Sequence, residues 1–138
     1  RLYRKLVDAG IATEIEIDNS EHKDRGLFIF SVDMQKGKTA RQALNVIDTE
    51  VKQIQAGNFK KEDLNRAVSV MRFSVFDELG SNDNKARFLG FYETTTGNFE
   101  NGIRLLNSLK EVTKADVVRV AKKYLDPKKR NVLFGERL

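Results

Sequence analysis

The 138-residue chain has no cysteine, no tryptophan, one proline and one histidine. Without cysteine it can form no disulfide and no thiolate metal site, and it offers no thiol nucleophile. A catalytic zinc site needs about three protein ligands, which come mostly from histidine and cysteine. Since His22 stands alone, zinc-hydrolase chemistry within these residues is excluded, and we expect no catalytic residue and no metal ligand here.

Long apolar runs and nucleotide-binding loops are also missing. No apolar stretch reaches the roughly 18 to 20 residues that span a bilayer, and no signal peptide is visible, so we expect no membrane span. None of the patterns G-x-x-x-x-G-K-[ST], G-x-G-x-x-G and G-x-S-x-G occurs, which leaves nucleotide loops and nucleophile elbows without support. Because the chain begins with Arg1 and reads as helix at once, we expect it to be a piece of a longer polypeptide.

Positive charge is concentrated at the end of the chain. The last 29 residues carry nine basic and four acidic side chains, which accounts for the whole net charge of +5. Such a cluster could contact phosphates, but aromatic residues for base stacking are sparse beside it, and cations are also favoured at a helix C-terminus. A solvated helix end is the better interpretation, and we expect no nucleic-acid partner. The cluster comprises Lys122, Lys123, Lys128, Lys129 and Arg130.

Apolar periodicity predicts an α+β fold in which residues 1–138 form one domain, with an antiparallel sheet of about three strands packed against several helices. Strands are predicted at residues 11–18, 26–34 and 131–135. Helices are predicted before Gly10, between Thr39 and Gly57, from Lys60 to Leu79, from Ser81 to Tyr92, from Phe99 to Leu109 and from Thr113 to Tyr124. A turn is predicted at 94–98, where threonine, glycine and asparagine cluster.

Two polar features of the predicted hairpin are candidate sites. In the first strand, strict alternation puts Ile11, Thr13, Ile15 and Ile17 on one face and Ala12, Glu14, Glu16 and Asp18 on the other. Carboxylates two residues apart lie about 6 to 7 Å from each other, so a shared cation is the weaker interpretation and a wet or cation-covered face is the better one. His22, between Glu21 and Asp24, is expected to be an exposed loop residue rather than a base or ligand.

Three segments resemble the pitrilysin and insulinase family of zinc metallopeptidases, which carry an inverted H-x-x-E-H motif. The segments are R-L-Y-R-K-L-V-D-A-G-I-A-T at 1–13, K-K-E-D-L-N-R-A at 60–67, and V-T-K-A-D-V-V-R-V-A-K-K-Y-L-D-P at 112–127 followed by R-N-V at 130–132. Their order and spacing are similar to the later part of the family's second, non-catalytic domain. The resemblance implies half of a two-layer metallopeptidase-like domain that binds substrate and acts as a scaffold but is inactive alone.

The resemblance also implies partners and a zinc cofactor outside this segment. Zinc is expected in a catalytic H-x-x-E-H domain, in the same chain or a partner subunit, with a peptide as substrate and a periplasmic or secreted location favoured. Family members often have an arginine and a tyrosine where this chain has Val7 and Thr13, so that substrate-contacting pair is not carried over. We instead expect Arg4 and Thr13 to lie near substrate, with an extended peptide adding to the sheet edge.

Three alternatives remain open from the sequence. The loss of the arginine and tyrosine pair is compatible with a structural paralogue without peptidase activity, like the core subunits of respiratory complexes. A basic nucleic-acid-binding module is the weaker alternative, and its binding would decline steeply with salt. An unpaired sheet edge could also lead to a homo-oligomer.

Overall fold

The computed structural model describes residues 1–19, 22–24 and 26–135. They form six helices and one two-stranded antiparallel sheet, so the predicted α+β class is confirmed. The elements, in chain order, are α1 (Leu2–Leu6), β1 (Ala12–Asn19), β2 (Phe28–Met34), α2 (Ala40–Gln55), α3 (Lys61–Glu78), α4 (Asn82–Thr96), α5 (Glu100–Ser108) and α6 (Lys114–Tyr124). Short 3-10 turns follow α5 at Leu109–Glu111 and α6 at Pro127–Lys129.

The chain folds into two compact units. The first comprises described residues 1–19, 26–58 and 117–135, and the second comprises 22–24 and 59–116. The first unit is therefore assembled from three separate stretches of sequence, whereas the second is almost continuous. The expectation that residues 1–138 form one domain stays a prediction.

The first unit packs one face of the β1–β2 hairpin against α1 and α2. Its buried centre is formed by Leu6, Ala12, Ala43 and Ile47. Half-buried apolar side chains of β2 surround that centre, as the alternation predicts: Phe30, Val32 and Met34. Burying this apolar surface is what holds an otherwise marginal two-stranded hairpin in place.

Helix ends of the first unit lie where the capping residues predict them. The Thr39 N–H donates to Gln42 Oε1 at 2.9 Å, as in a capping box. Gly10 has φ +66° and Gly57 has φ +75°, a conformation that glycine adopts without a Cβ penalty, and each follows the end of a helix.

A β-bulge in β1 corrects the predicted alternation. Ala12 pairs with Met34 and Glu14 with Asp33, so Thr13 is an extra residue in the ladder. The extra residue reverses the side-chain alternation: Ala12, expected outside, is 3% exposed in the core, and Thr13, expected inside, is exposed. From Glu14 to Asp18 the predicted alternation of faces holds.

The predicted third strand at 131–135 is wrong. The described residues of this segment form no ladder, and Leu133 is 96% exposed. A strand is defined by pairing with a neighbour, and both described strands pair only with each other. The apolar composition of the segment therefore indicated a strand that has no pairing partner in the described part of the chain.

The second unit contains α3, α4 and α5 and is centred on Gly102 and Leu106. Gly102 of α5 lies against the rings of Phe88 and Tyr92 of α4, which are 4.9 Å apart between centroids. No helix among residues 1–19, 22–24 and 26–135 has the length and apolarity needed to cross a membrane.

Helix α4 runs through part of the segment predicted as a turn. It continues to Thr96, and only Gly97, with φ +74°, ends it. The hydroxyls of Thr94, Thr95 and Thr96 donate to main-chain carbonyls of the preceding turn, at 2.9, 2.6 and 2.6 Å. Within a helix, threonine satisfies its own hydroxyl in this way. The threonine cluster therefore does not end the helix, contrary to the prediction of a turn at these residues.

Candidate functional site

The candidate site is built on α1 and β1, the elements that carry the two residues predicted to lie near substrate. Arg4 lies on α1 with an exposed side chain. Thr13 lies at the bulge of β1 and is also exposed, and its hydroxyl donates to the Asp33 carbonyl at 3.2 Å. Helix α1 packs against β1, but among the described side chains no hydrogen bond joins Arg4 to Thr13.

The bulge determines what Thr13 can offer a ligand. A bulged residue is left out of the regular ladder, and the Thr13 hydroxyl is already bonded to the opposite strand. The Thr13 hydroxyl is therefore engaged within the hairpin and is not available to donate to a ligand in this conformation. Along its other edge, β1 has no strand partner among the described residues.

The outer face of the hairpin is strongly acidic. Glu14, Glu16 and Asp18 follow one another on β1, and Asp33 of β2 lies directly opposite Glu14. All four residues are exposed, which agrees with the expected wet face. Like charges placed opposite one another weaken a strand pair, so the pair Glu14 and Asp33 does not stabilise the hairpin. Within the described ranges, no three His, Cys, Asp or Glu side chains are grouped so as to hold a metal ion.

A buried carboxylate, which the sequence analysis missed, fixes α1 to α2. Glu50 is 1% exposed and accepts hydrogen bonds from Lys5 Nζ at 2.5 Å and from Arg1 Nε at 2.9 Å. Arg1 also donates to the Asn58 carbonyl at 3.1 Å. Burial by itself raises the pKa of Glu50, but the hydrogen bonds from Lys5 and Arg1 outweigh it and hold the pKa below its usual value. The ion pairs thereby orient the helix that carries Arg4.

The sequence contains a signal for this contact between α1 and α2. Arg1 and Lys5 are four residues apart, so they lie on one face of α1. Two cations on one face of a helix, next to its apolar stripe, indicate an acidic partner on a neighbouring element. Glu50 follows the buried Ile47 by three residues and so lies on the inner side of α2.

The basic residues at the end of the chain are partly used within the fold. Arg130 forms a two-pronged ion pair with Asp48 of α2, with Nη2 to Oδ2 at 3.0 Å. The hydrogen bond from Arg130 holds the pKa of Asp48 below its usual value. Lys123 Nζ lies 4.9 Å from the centre of the Tyr124 ring. Two of the basic residues, Arg130 and Lys123, thus interact with α2 and Tyr124 of the same chain.

His22 is exposed, as expected, on the connection between the two strands. Asp24 is exposed beside it, whereas the neighbouring Glu21 lies outside the described residues. Among the described residues of this connection, none encloses His22 in surroundings that would assign a chemical role to the imidazole.

Comparison with known proteins matches part of this chain to a protein family. Residues 1–71, which include α1, the hairpin, α2 and the first part of α3, match the family described as Peptidase M16 inactive domain. The rat mitochondrial cytochrome b-c1 complex subunit 2 is 25% identical over 123 residues, which cover 88% of this chain and 27% of that protein.

Two solved structures share the fold. A protease from Helicobacter pylori superposes with a TM-score of 0.82 at 18% identity, covering 91% of this chain and 30% of that one. A chain from Bordetella pertussis Tohama I, assigned as a zinc protease, superposes with a TM-score of 0.81 at 23% identity, covering 95% of this chain and 71% of that one. The chain therefore spans less than a third of the rat and Helicobacter pylori proteins.

Proposed function

The chain belongs to the family of Peptidase M16 inactive domains, and from this membership we propose that it is the substrate-binding and scaffolding domain of a zinc-dependent metalloendopeptidase. The family match over residues 1–71 is the observation that carries the proposal. Cleavage and zinc belong, in this proposal, to a catalytic H-x-x-E-H domain in the same polypeptide or in a partner subunit. The described residues of this chain do not fit a zinc site, so no catalytic step is assigned to them.

The substrate in this proposal is an extended peptide that adds to the open edge of β1. Strand addition draws its affinity from main-chain hydrogen bonds, and a sheet edge with free main-chain groups provides them. The open edge supports this, since β1 has no strand partner there among the described residues. Arg4 provides an exposed guanidinium on the adjacent helix, suited to a peptide carbonyl or carboxylate.

Steady-state kinetics of the full-length protein test the proposal. We expect cleavage of a quenched fluorescent peptide that stops when zinc is removed by a chelator and returns with added zinc. Thr13→Pro removes a main-chain donor, and Arg4→Ala removes the guanidinium. If these groups hold substrate equally in the ground and transition states, each variant raises KM about three- to tenfold with kcat unchanged.

Matched controls separate a site effect from a general one. Arg41→Ala removes an exposed arginine of α2, and Thr49→Val removes a threonine hydroxyl that bonds only within α2, to the Asn45 carbonyl. Both controls should leave KM unchanged. A zinc-dependent peptidase whose KM is unaffected by Thr13→Pro and Arg4→Ala would refute the β1 edge as the substrate site while keeping the family role.

A second candidate function is that of a structural subunit without peptidase activity. The similarity to subunit 2 of the cytochrome b-c1 complex over 88% of this chain favours it. A full-length protein that contains no zinc by atomic absorption and cleaves no peptide, yet purifies in a stable stoichiometric complex, would establish this second function and reject the first.

A further inference from the structure

Helix α3 presents large apolar side chains to solvent. Val70 is 58% exposed, Phe73 70% and Phe76 56%. The opposite side of the same helix is apolar too, and its side chains are half-buried: Leu64, Val68, Val75 and Leu79. A helix that packs only against its own domain needs one apolar face. The second apolar face of α3 therefore indicates a further contact.

Four residues on the exposed side form one continuous line. Arg66, Val70, Phe73 and Asp77 follow one another at intervals of four, three and four residues, which places them on one face of a helix with 3.6 residues per turn. All four are exposed. The line, called the α3 stripe below, has a cation at one end, an anion at the other and an apolar pair between them.

We propose that the α3 stripe is the contact between two copies of this chain, paired antiparallel about a two-fold axis. In that arrangement Arg66 of one copy lies opposite Asp77 of the other, and Val70 lies opposite Phe73. Both pairs fit one two-fold axis because positions 66 and 77 have the same midpoint along the helix as positions 70 and 73. A two-fold contact requires a surface complementary to itself. The α3 stripe meets that requirement in both charge and apolarity.

Charge selects this arrangement over the alternatives. A parallel pairing in register would bring Arg66 against Arg66 and Asp77 against Asp77, which is repulsive. Small exposed residues on either side of the apolar pair, Ser69 and Ser74, leave room for the partner helix to approach. Phe76 borders the stripe and extends the apolar contact. The occupant is therefore a second copy of the chain rather than an apolar ligand.

Charge reversal tests the pairing in the full-length protein. Sedimentation velocity over a concentration series should show a monomer–dimer equilibrium. Arg66→Asp and Asp77→Arg each place two like-charged pairs in the contact, so each should raise the dimer dissociation constant about tenfold or more. The double variant R66D/D77R restores both pairs with reversed polarity and should return the constant to within about threefold of the original.

The rescue is specific because the two residues cannot pair within one helix. Eleven residues separate them, about 16 Å along the axis. Phe73→Glu should also dissociate the dimer, whereas Leu133→Glu, on an even more exposed apolar residue of the first unit, and Arg41→Asp should not. Circular dichroism confirms that each variant stays folded.

Three results would overturn the proposal. One is a full-length protein that remains monomeric at about 100 μM, a concentration at which even weak contacts associate; if Phe73 is then protected from solvent, another segment covers the stripe. The second is a dimer that is insensitive to Arg66→Asp. The third is loss of the dimer in both single variants without recovery in the double variant.

Discussion

Lys5 of α1 and Glu50 of α2 meet at 2.5 Å although 45 residues separate them in the chain. Their burial differs sharply: the Glu50 side chain is 2% exposed and the Lys5 side chain 53%. The carboxylate depends on its partners for solvation, whereas the ammonium group also reaches water. Removing one side of the contact should therefore cost more than removing the other.

Removing the cations should destabilise the protein more than removing the carboxylate. The double variant Arg1→Met and Lys5→Met leaves a buried carboxylate unpaired and should lower the free energy of unfolding by about 3 to 5 kcal/mol. Glu50→Gln leaves two exposed cations and should cost about 1 to 3 kcal/mol. Urea unfolding measures both. The exposed pair Lys38→Met and Arg41→Met serves as the control, and equal losses in the two test variants would contradict the asymmetry.

Acid should weaken the first unit through the same carboxylate and through Asp48. Hydrogen bonds lower the pKa of both groups in the folded protein, so their contribution to stability is fully present above the unfolded-state pKa. It is lost as the pH falls through the lower folded-state pKa. Unfolding free energies of the protein and of Glu50→Gln, measured between pH 7 and pH 3, should converge toward the acid end. Parallel curves would refute the linkage.

The bulge in β1 predicts that a charged substitution is tolerated at Thr13 but not at the adjacent Ala12. Ala12→Asp places a charge in the core next to Leu6 and should cost about 3 kcal/mol or more. Thr13→Asp alters an exposed residue and should change the stability by less than about 1 kcal/mol. Thermal unfolding of the two variants decides between the bulge and a regular strand, because regular alternation would reverse the order.

Two glycines of the second unit should respond to alanine with opposite sign. At Gly102 a Cβ would lie 2.5 Å from Tyr92 Cδ2 and 2.6 Å from Phe88 Cε1, so Gly102→Ala should destabilise by about 1 to 3 kcal/mol. At Gly90, inside α4, a Cβ meets nothing within 4 Å, and Gly90→Ala should stabilise by about 0.5 kcal/mol. Calorimetry of both variants tests the α4–α5 packing. A Gly102→Ala variant that is not destabilised would contradict the close packing at Gly102, and a Gly90→Ala variant that is destabilised would contradict the open space at Gly90.

Local chemistry made much of the fold predictable. The Thr39 and Gln42 pair, the glycines at 10 and 57 and the alternation of β2 depend on neighbours a few residues away, and the structure agrees with each. The predicted turn after Tyr92 failed within that same range, because the threonine hydroxyls bond to their own helix. Composition alone does not separate a threonine-rich turn from a threonine-rich helix end.

Long-range pairing limited the prediction of the candidate site. The burial of Glu50 follows from contact with a helix more than forty residues away, and the bulge at Thr13 follows from its register with β2. The segment 131–135 has the composition of a strand, but a strand also needs a neighbour, which composition cannot supply. Arg4 and Thr13 are exposed as substrate-proximal residues must be, and their contact with a peptide stays a prediction.

The ion pair between Arg130 and Asp48 bears on how the chain folds over time. The two residues are 82 positions apart, and the first unit takes its last stretch from the chain after residue 116. During synthesis, α3, α4 and α5 are complete before that stretch emerges, so the second unit can collapse while the first is unfinished. Closing such a long loop is slow compared with forming local contacts. The first unit, although its hairpin is synthesised first, is thus completed after the second unit.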